Sequence, residues 1–305
     1  MARCKQQLGK AFCVQDACRV FGYSKQAYYQ SIDRKEKQAF DEYLVVELIR
    51  EKRRIWKKGS GRNLLACLQE DFVLHGISIG RDKFFDLLRE YGLLVRRKSK
   101  RARTTNSYHH YHRFANLIEG CTPDGPNQVW VSDITFVWCQ KEQGFLYLFL
   151  ITDLYSRKVM GYAVGQTLEA SWAVQALQMG IDQTEGSLEE LIHHSDRGVQ
   201  YCCGDYIERL TLHKIQPSMT QNSDPLENPV AERINLTLKD EFMNNYKEGY
   251  SNKAQAFKEI PVNIEFYNQV RPHSSIERLT PNQAHSRTGL LQRKWKNYYT
   301  QKTVQ

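Results

Sequence analysis

Three strand-forming runs stand back to back between residues 129 and 164, with no helix-forming stretch between them. Residues 129–137 alternate and are rich in β-branched side chains, 145–154 is apolar throughout, and 158–164 alternates again. Gaps this short join neighbouring antiparallel strands, because a parallel return needs a crossover of a dozen residues or more. The pattern then changes. Residues 168–181 read as a helix, 191–194 as a short strand, 205–212 as a helix and 217–219 as an edge strand, with further helices near 230–242 and 254–268. Strands that alternate with helices pair in parallel, so the sequence predicts a mixed sheet with helices on its faces.

That order, three antiparallel strands and then alternating helix and strand, predicts an α/β fold with a ribonuclease H-like catalytic core over 124–285. The preceding part reads as all-α. Residues 14–29 give a helix, a turn at Gly22, an N-cap at Ser24 and a second helix, a helix-turn-helix pattern placed in a segment 1–36. A helix at 44–54, then 63–68, a turn at Gly76 and a helix from Arg81 to Tyr91 repeat the pattern over 37–95, with Gly92 closing the last helix.

Charge separates the two parts. Residues 1–114 hold 25 Lys and Arg against 12 Asp and Glu, whereas 115–305 hold 18 against 22. The longest apolar run, 145–151, is too short to cross a bilayer, so a basic first third points to nucleic acid, with no membrane. A linker at 96–123 opens with Arg96, Arg97, Lys98, Lys100, Arg101 and Arg103, too dense a run to bury and suited to lie along phosphates. With Ser24, Lys25 and Arg81 these are the candidate DNA contacts. Residues 286–305 form a basic tail. The 8 cysteines include no Cys-x-x-Cys pair, and His109, His110, His112 and Cys121 lack the second cysteine of a zinc site.

Three acidic residues stand out by placement. Asp133 interrupts the first strand on the face of Val129 and Val131, where a carboxylate is costly without a partner or a cation. Asp196 ends a strand, with Gly198 permitting a sharp exit, and Glu232 lies one turn into a helix, with thirty-five residues between it and Asp196. On that helix Asn228, Glu232 and Lys239 share one face, and Val230, Ile234 and Leu238 form the opposite, apolar one.

The segments around these residues, Asp133-Ile134-Thr135-Phe136, His194-Ser195-Asp196-Arg197-Gly198-Val199-Gln200-Tyr201 and Asn228-Pro229-Val230-Ala231-Glu232 with Lys239, resemble the Asp-Asp-Glu core of insertion-sequence transposases. Phe266-Tyr267-Asn268, Arg271-Pro272-His273 and Leu279-Thr280-Pro281 resemble that family's C-terminal signature. The nearest group is the insertion-sequence-three family, related to retroviral integrases. Ser223 stands where the family usually has Gly and Pro229 where Ala is common, a change that suits the first turn of a helix. The resemblance implies that Asp133, Asp196 and Glu232 are catalytic and hold metal. Three hard oxygen ligands select Mg²⁺ or Mn²⁺ over zinc, and two ions are expected. It further implies binding of inverted-repeat ends and target DNA by a homo-oligomer, strand nicking and strand transfer. Lys239 would contact a phosphate on the DNA side of the helix, and Asn228 and His194 would position DNA or a ligand carboxylate. Two rival readings remain: a nuclease of the same fold, and a catalytically silent DNA-binding regulator derived from a transposase.

Overall fold

The computed structural model describes residues 13–95, 114–221, 227–243 and 249–293. The chain divides into two compact units, residues 1–51 with 70–93 and residues 52–69 with 94–305. In the first, helix α1 (Val14–Val20) turns at Gly22, whose φ of +71° needs a residue without Cβ, into α2 (Lys25–Ile55). The Ser24 hydroxyl accepts from the Ala27 amide at 3.0 Å and caps that helix. The sequence pattern suggested two separate helices within 25–54 and a boundary at 36; instead 31 residues form one helix across that position. No Gly or Pro lies between Lys25 and Ile55, and contacts along the helix such as Gln38 to Glu42 (2.8 Å) support its polar middle. Val45, Val46 and Ile49 of α2, with Phe72, Phe84, Leu87 and Leu88, are among the unit's buried side chains. Phe84, Leu87 and Leu88 lie on α5 (Arg81–Glu90), which follows α3 (Gly61–Cys67), α4 (Gln69–Leu74) and a turn at Gly76.

The second unit is built on a five-stranded sheet ordered β3-β2-β1-β4-β5, the ribonuclease H-like arrangement. β1 (Val129–Cys139), β2 (Gly144–Asp153) and β3 (Val159–Gly165) form the antiparallel meander, and β4 (Ile192–Ser195) and β5 (Gln216–Met219) extend it in parallel. Helix α6 (Ala170–Asp182) covers one face over Trp130, Phe149, Ile151 and Met160. It lies so close to β3 that a Cβ on Gly161 would stand 2.0 Å from the Ala176 carbonyl oxygen. After β4 come α7 (Val199–Cys202) and α8 (Gly204–Leu212), whose Tyr201, Tyr206 and Leu210 complete that core. On the opposite face α9 (Pro229–Glu241) sets Ala231 and Val230 against Val129 and Val131.

The C-terminal signature has structural work to do. On α10 (Lys253–Gln269), Asn268 pairs with both the amide and the carbonyl of Val159 at 2.9 Å, and Tyr267 donates to the Arg157 carbonyl at 3.0 Å. Thr280 and Gln283 form a capping box that starts α11 (Pro281–His285). Residues 52–69, expected within a second helix-turn-helix domain, cluster with this unit because Trp56, fully buried, stacks on Phe242 and packs against Phe266.

Candidate active site

The sheet sets the site. β1 and β4 run parallel, with Val131 opposite His194, so Asp133, two residues further along β1, lies beside Asp196, which follows the last residue of β4. Helix α9 crosses that face. Its start is fixed by Asn228, whose side-chain amide donates to the Ser132 carbonyl at 2.9 Å, and Pro229 occupies the first helical position. Glu232 falls in the first turn.

Asp133 is strongly perturbed. Burial raises its carboxyl from 3.8 to about 7, the negative charge of Asp196 adds to that rise and Glu232 contributes further. Two hydrogen bonds oppose the shift: the Asn235 side-chain amide donates to Oδ2 at 2.7 Å and the Ile134 amide to Oδ1 at 2.8 Å. The Asp196 Oδ1 accepts from the Gly198 amide at 3.0 Å, which ties the carboxylate to the exit turn.

Asn235 did not stand out in the sequence, although the signal was there. Asn228, Glu232, Asn235 and Lys239 follow at i, i+4, i+7 and i+11, one polar stripe along α9. The stripe turns toward β1, and this changes the picture of Lys239. Placed by sequence on the DNA side of the helix, Lys239 is only 6% exposed and lines a small pocket with Phe136, Val137, Trp138, Met243, Gly249 and Tyr250. Burial lowers its ammonium to about 8, while the charge of Asp133, followed by that of Asp240, holds it up. The pocket wall comes from β1, so seven positions beyond Glu232 the helix still faces the sheet.

His194 is buried with Nδ1 at 2.8 Å from the Ser218 Oγ, which also accepts from the Leu117 amide at 2.9 Å. Burial lowers its pKa to about 4, so the ring is neutral and bridges β4 to β5. Ser24 and Lys25 are exposed at the start of α2, and Arg81, exposed at the start of α5, pairs with Asp82 at 2.8 Å. Arg96, Arg97, Lys98, Lys100, Arg101 and Arg103 lie outside the described residues, as does Ser223.

A divalent cation fits the chemistry of this donor set. The oxygens are hard, the half-buried Asp133 carboxylate shares the field of two others, and the His194 imidazole gives its Nδ1 to Ser218. Among the described residues no three Asp, Glu, His or Cys side chains converge tightly enough to enclose one ion.

Comparison with known proteins decides what kind of chain carries this site. Two family models, each described as an integrase core domain, match residues 123–225 and 213–281. The "Insertion element IS600 uncharacterized 31 kDa protein" of Shigella sonnei is 34% identical over 269 residues, 87% of this chain and 95% of that protein. The chain belongs to the insertion-sequence-three group of transposases. Transposase InsF for insertion sequence IS3A, of Escherichia coli K12, is 28% identical to this transposase across 89% of its chain and 93% of InsF. Among solved structures, the catalytic core of the HTLV-2 integrase covers 54% of the transposase and 99% of its own chain, at 18% identity and a TM-score of 0.41. As a DNA transposase with an integrase core, the chain is a polynucleotidyl transferase. None of its described helices is long and apolar enough to cross a membrane.

Proposed function

We propose that the transposase nicks DNA at the inverted-repeat ends of its element and joins those ends to target DNA, with Asp133, Asp196 and Glu232 as the catalytic and metal-holding carboxylates. The observation that carries this reading is Asp133, a half-buried carboxyl in β1 that desolvation and two neighbouring acids raise to about 7. A site that stores such repulsion gains most when a cation enters. Two Mg²⁺ or Mn²⁺ ions, when bound, supply activation of the attacking oxygen and neutralisation of charge on the leaving oxygen. The protein's part is to hold the ligands. Asn235 and the Ile134 amide keep the Asp133 oxygens oriented, the Gly198 amide does so for Asp196, and Asn228 fixes the start of the helix that carries Glu232. In nicking, a water oxygen bonds to phosphorus as the P–O3′ bond breaks, and the 3′ oxygen leaves as a hydroxyl. In joining, that hydroxyl attacks a target phosphate and displaces a target 3′ oxygen, so the number of phosphodiester bonds is conserved.

Residues before 115 supply phosphate contacts, Ser24 and the cations Lys25, Arg81 and those of 96–103 among them, and the working form is a homo-oligomer assembled on DNA in the bacterial cytoplasm. His194 acts at one remove, by fixing β4 against β5 beneath Asp196. The test is nicking and joining of end-sequence oligonucleotides in Mg²⁺. Asp133→Asn, Asp196→Asn and Glu232→Gln should each abolish both steps and leave DNA binding nearly intact. Nicking without joining by the unaltered protein would favour a nuclease, and binding without either step would favour a silent regulator.

A further inference from the structure

The catalytic helix α9 is pinned at both ends, and the pin at its C-terminal end comes from 185 residues upstream. Glu241, the last residue of α9, has every acceptor engaged. Its Oε2 receives the Trp56 indole N–H at 2.6 Å and Arg271 Nε at 2.7 Å, its Oε1 receives Arg271 Nη2 at 2.6 Å, and its backbone carbonyl receives the Lys58 amide at 2.9 Å. Arg271 in turn lies 5.9 Å from the Trp56 ring centroid and donates from Nη1 to His273 Nε2 at 2.9 Å. His273 is neutral there, since burial and then the Arg271 charge lower its pKa. The indole stacks on Phe242 with its plane 12° from parallel and is fully buried. Gly59 yields to it, because a Cβ there would stand 2.2 Å from the ring.

Packing alone does not call for this arrangement. A phenyl ring would fill most of the same space, but only an indole also donates a hydrogen bond to the carboxylate that ends α9. A helix held by Asn228 at one end and by Glu241 at the other can neither slide nor turn about its axis, and Glu232 sits nine residues, about 13 Å, from the far pin. We propose that Trp56 is a positioning residue for Glu232: through Glu241 it fixes the register of α9 and with it the third carboxylate. The inference rests on the catalytic reading of Glu232. It places residues 52–60 in the working catalytic domain.

The test uses the full chain with Trp56→Phe, which keeps the stacked ring and deletes the donor, and Glu241→Gln, which keeps the shape and deletes the charge. The first measurement is amide hydrogen exchange without metal or DNA. Exchange over residues 231–239 should quicken about tenfold in both variants while β1 and β2 exchange as before. The second is the Mg²⁺ concentration giving half-maximal nicking, which should rise several-fold, with the maximal rate regained at high Mg²⁺. Unchanged exchange over α9 in both variants would overturn the proposal. So would equal acceleration over α9 and the sheet, or failure of both variants to fold, since either would make the cluster ordinary core. Because exchange is read without catalysis, its outcome is separable from that of the catalytic reading, which nicking by Glu232→Gln reports.

Discussion

Replacing Asp133 by Asn should stabilise the metal-free transposase while destroying its activity. The folded protein raises this carboxyl from 3.8 to about 7, mainly through burial and the charge of Asp196. A group whose folded pKa lies above its unfolded value binds its proton more tightly in the fold. Stability is therefore greatest at low pH, falls as pH climbs from about 4 through about 7, and bears the full cost above that. At about 1.4 kcal/mol per pKa unit, a shift of roughly three units costs on the order of 4 kcal/mol at pH 8. An amide in place of the carboxylate has one oxygen to offer Asn235 and the Ile134 amide, where the carboxylate serves both, so about 1 kcal/mol is lost again. The net gain is about 3 kcal/mol, or a rise in melting temperature on the order of 5–10 °C for a unit of this size. Calorimetry in a chelating buffer at pH 8 and pH 4 reads it directly. The gain should be present at pH 8 and nearly gone at pH 4, and added Mg²⁺ should stabilise the unaltered chain but not the variant. A variant no more stable than its parent at pH 8, or equally favoured at both pH values, would refute the reasoning.

Removing the donor on Asp133 should move activity along the pH axis. In Asn235→Ala the acid limb of nicking, at limiting Mg²⁺, shifts upward by about one unit, because a charge-assisted hydrogen bond contributes about 1.5–3 kcal/mol; an unmoved limb would separate Asn235 from the site. Lys239→Ala and Lys239→Arg should both lower joining on pre-nicked ends at least tenfold, since the pocket of Phe136, Trp138 and Tyr250 has no room for a guanidinium. A near-normal Arg variant would mean that the ammonium works outside the pocket. Changing the six cations of residues 96–103 to Gln should flatten the dependence of log affinity on log salt by up to about 5, measured by fluorescence anisotropy on end-sequence duplexes.

The strand order was readable because it is written locally: alternation at 129–137 and apolar continuity at 145–154 each show in a handful of neighbouring residues. Asp133 was readable for the same reason, as a charge where the pattern asked for an apolar side chain. The single helix over 25–55 was harder, since its middle is polar and carries no core stripe. The burial of Lys239 was not legible, since the sequence shows only that it shares the polar face of α9 and not that this face turns toward β1, where the charge of Asp133 holds its ammonium up. The C-terminal signature could be recognised but not explained. Arg271 meets its partner Glu241 from 30 positions away and Asn268 meets Val159 from 109, distances over which a sequence gives no physical hint of contact.

Asn268 also has a bearing on how the sheet ends. β3 is an outermost strand, and its first residue shows one amide and one carbonyl to the outside. Both are taken by a single side-chain amide, which imitates the pairing edge of a further strand without supplying one. The sheet is thus closed to growth at that point by a group that cannot itself be extended. An Asn268→Ala chain would leave an open template there, and its cost would be felt less in catalysis than in the readiness of neighbouring molecules to add themselves to the edge.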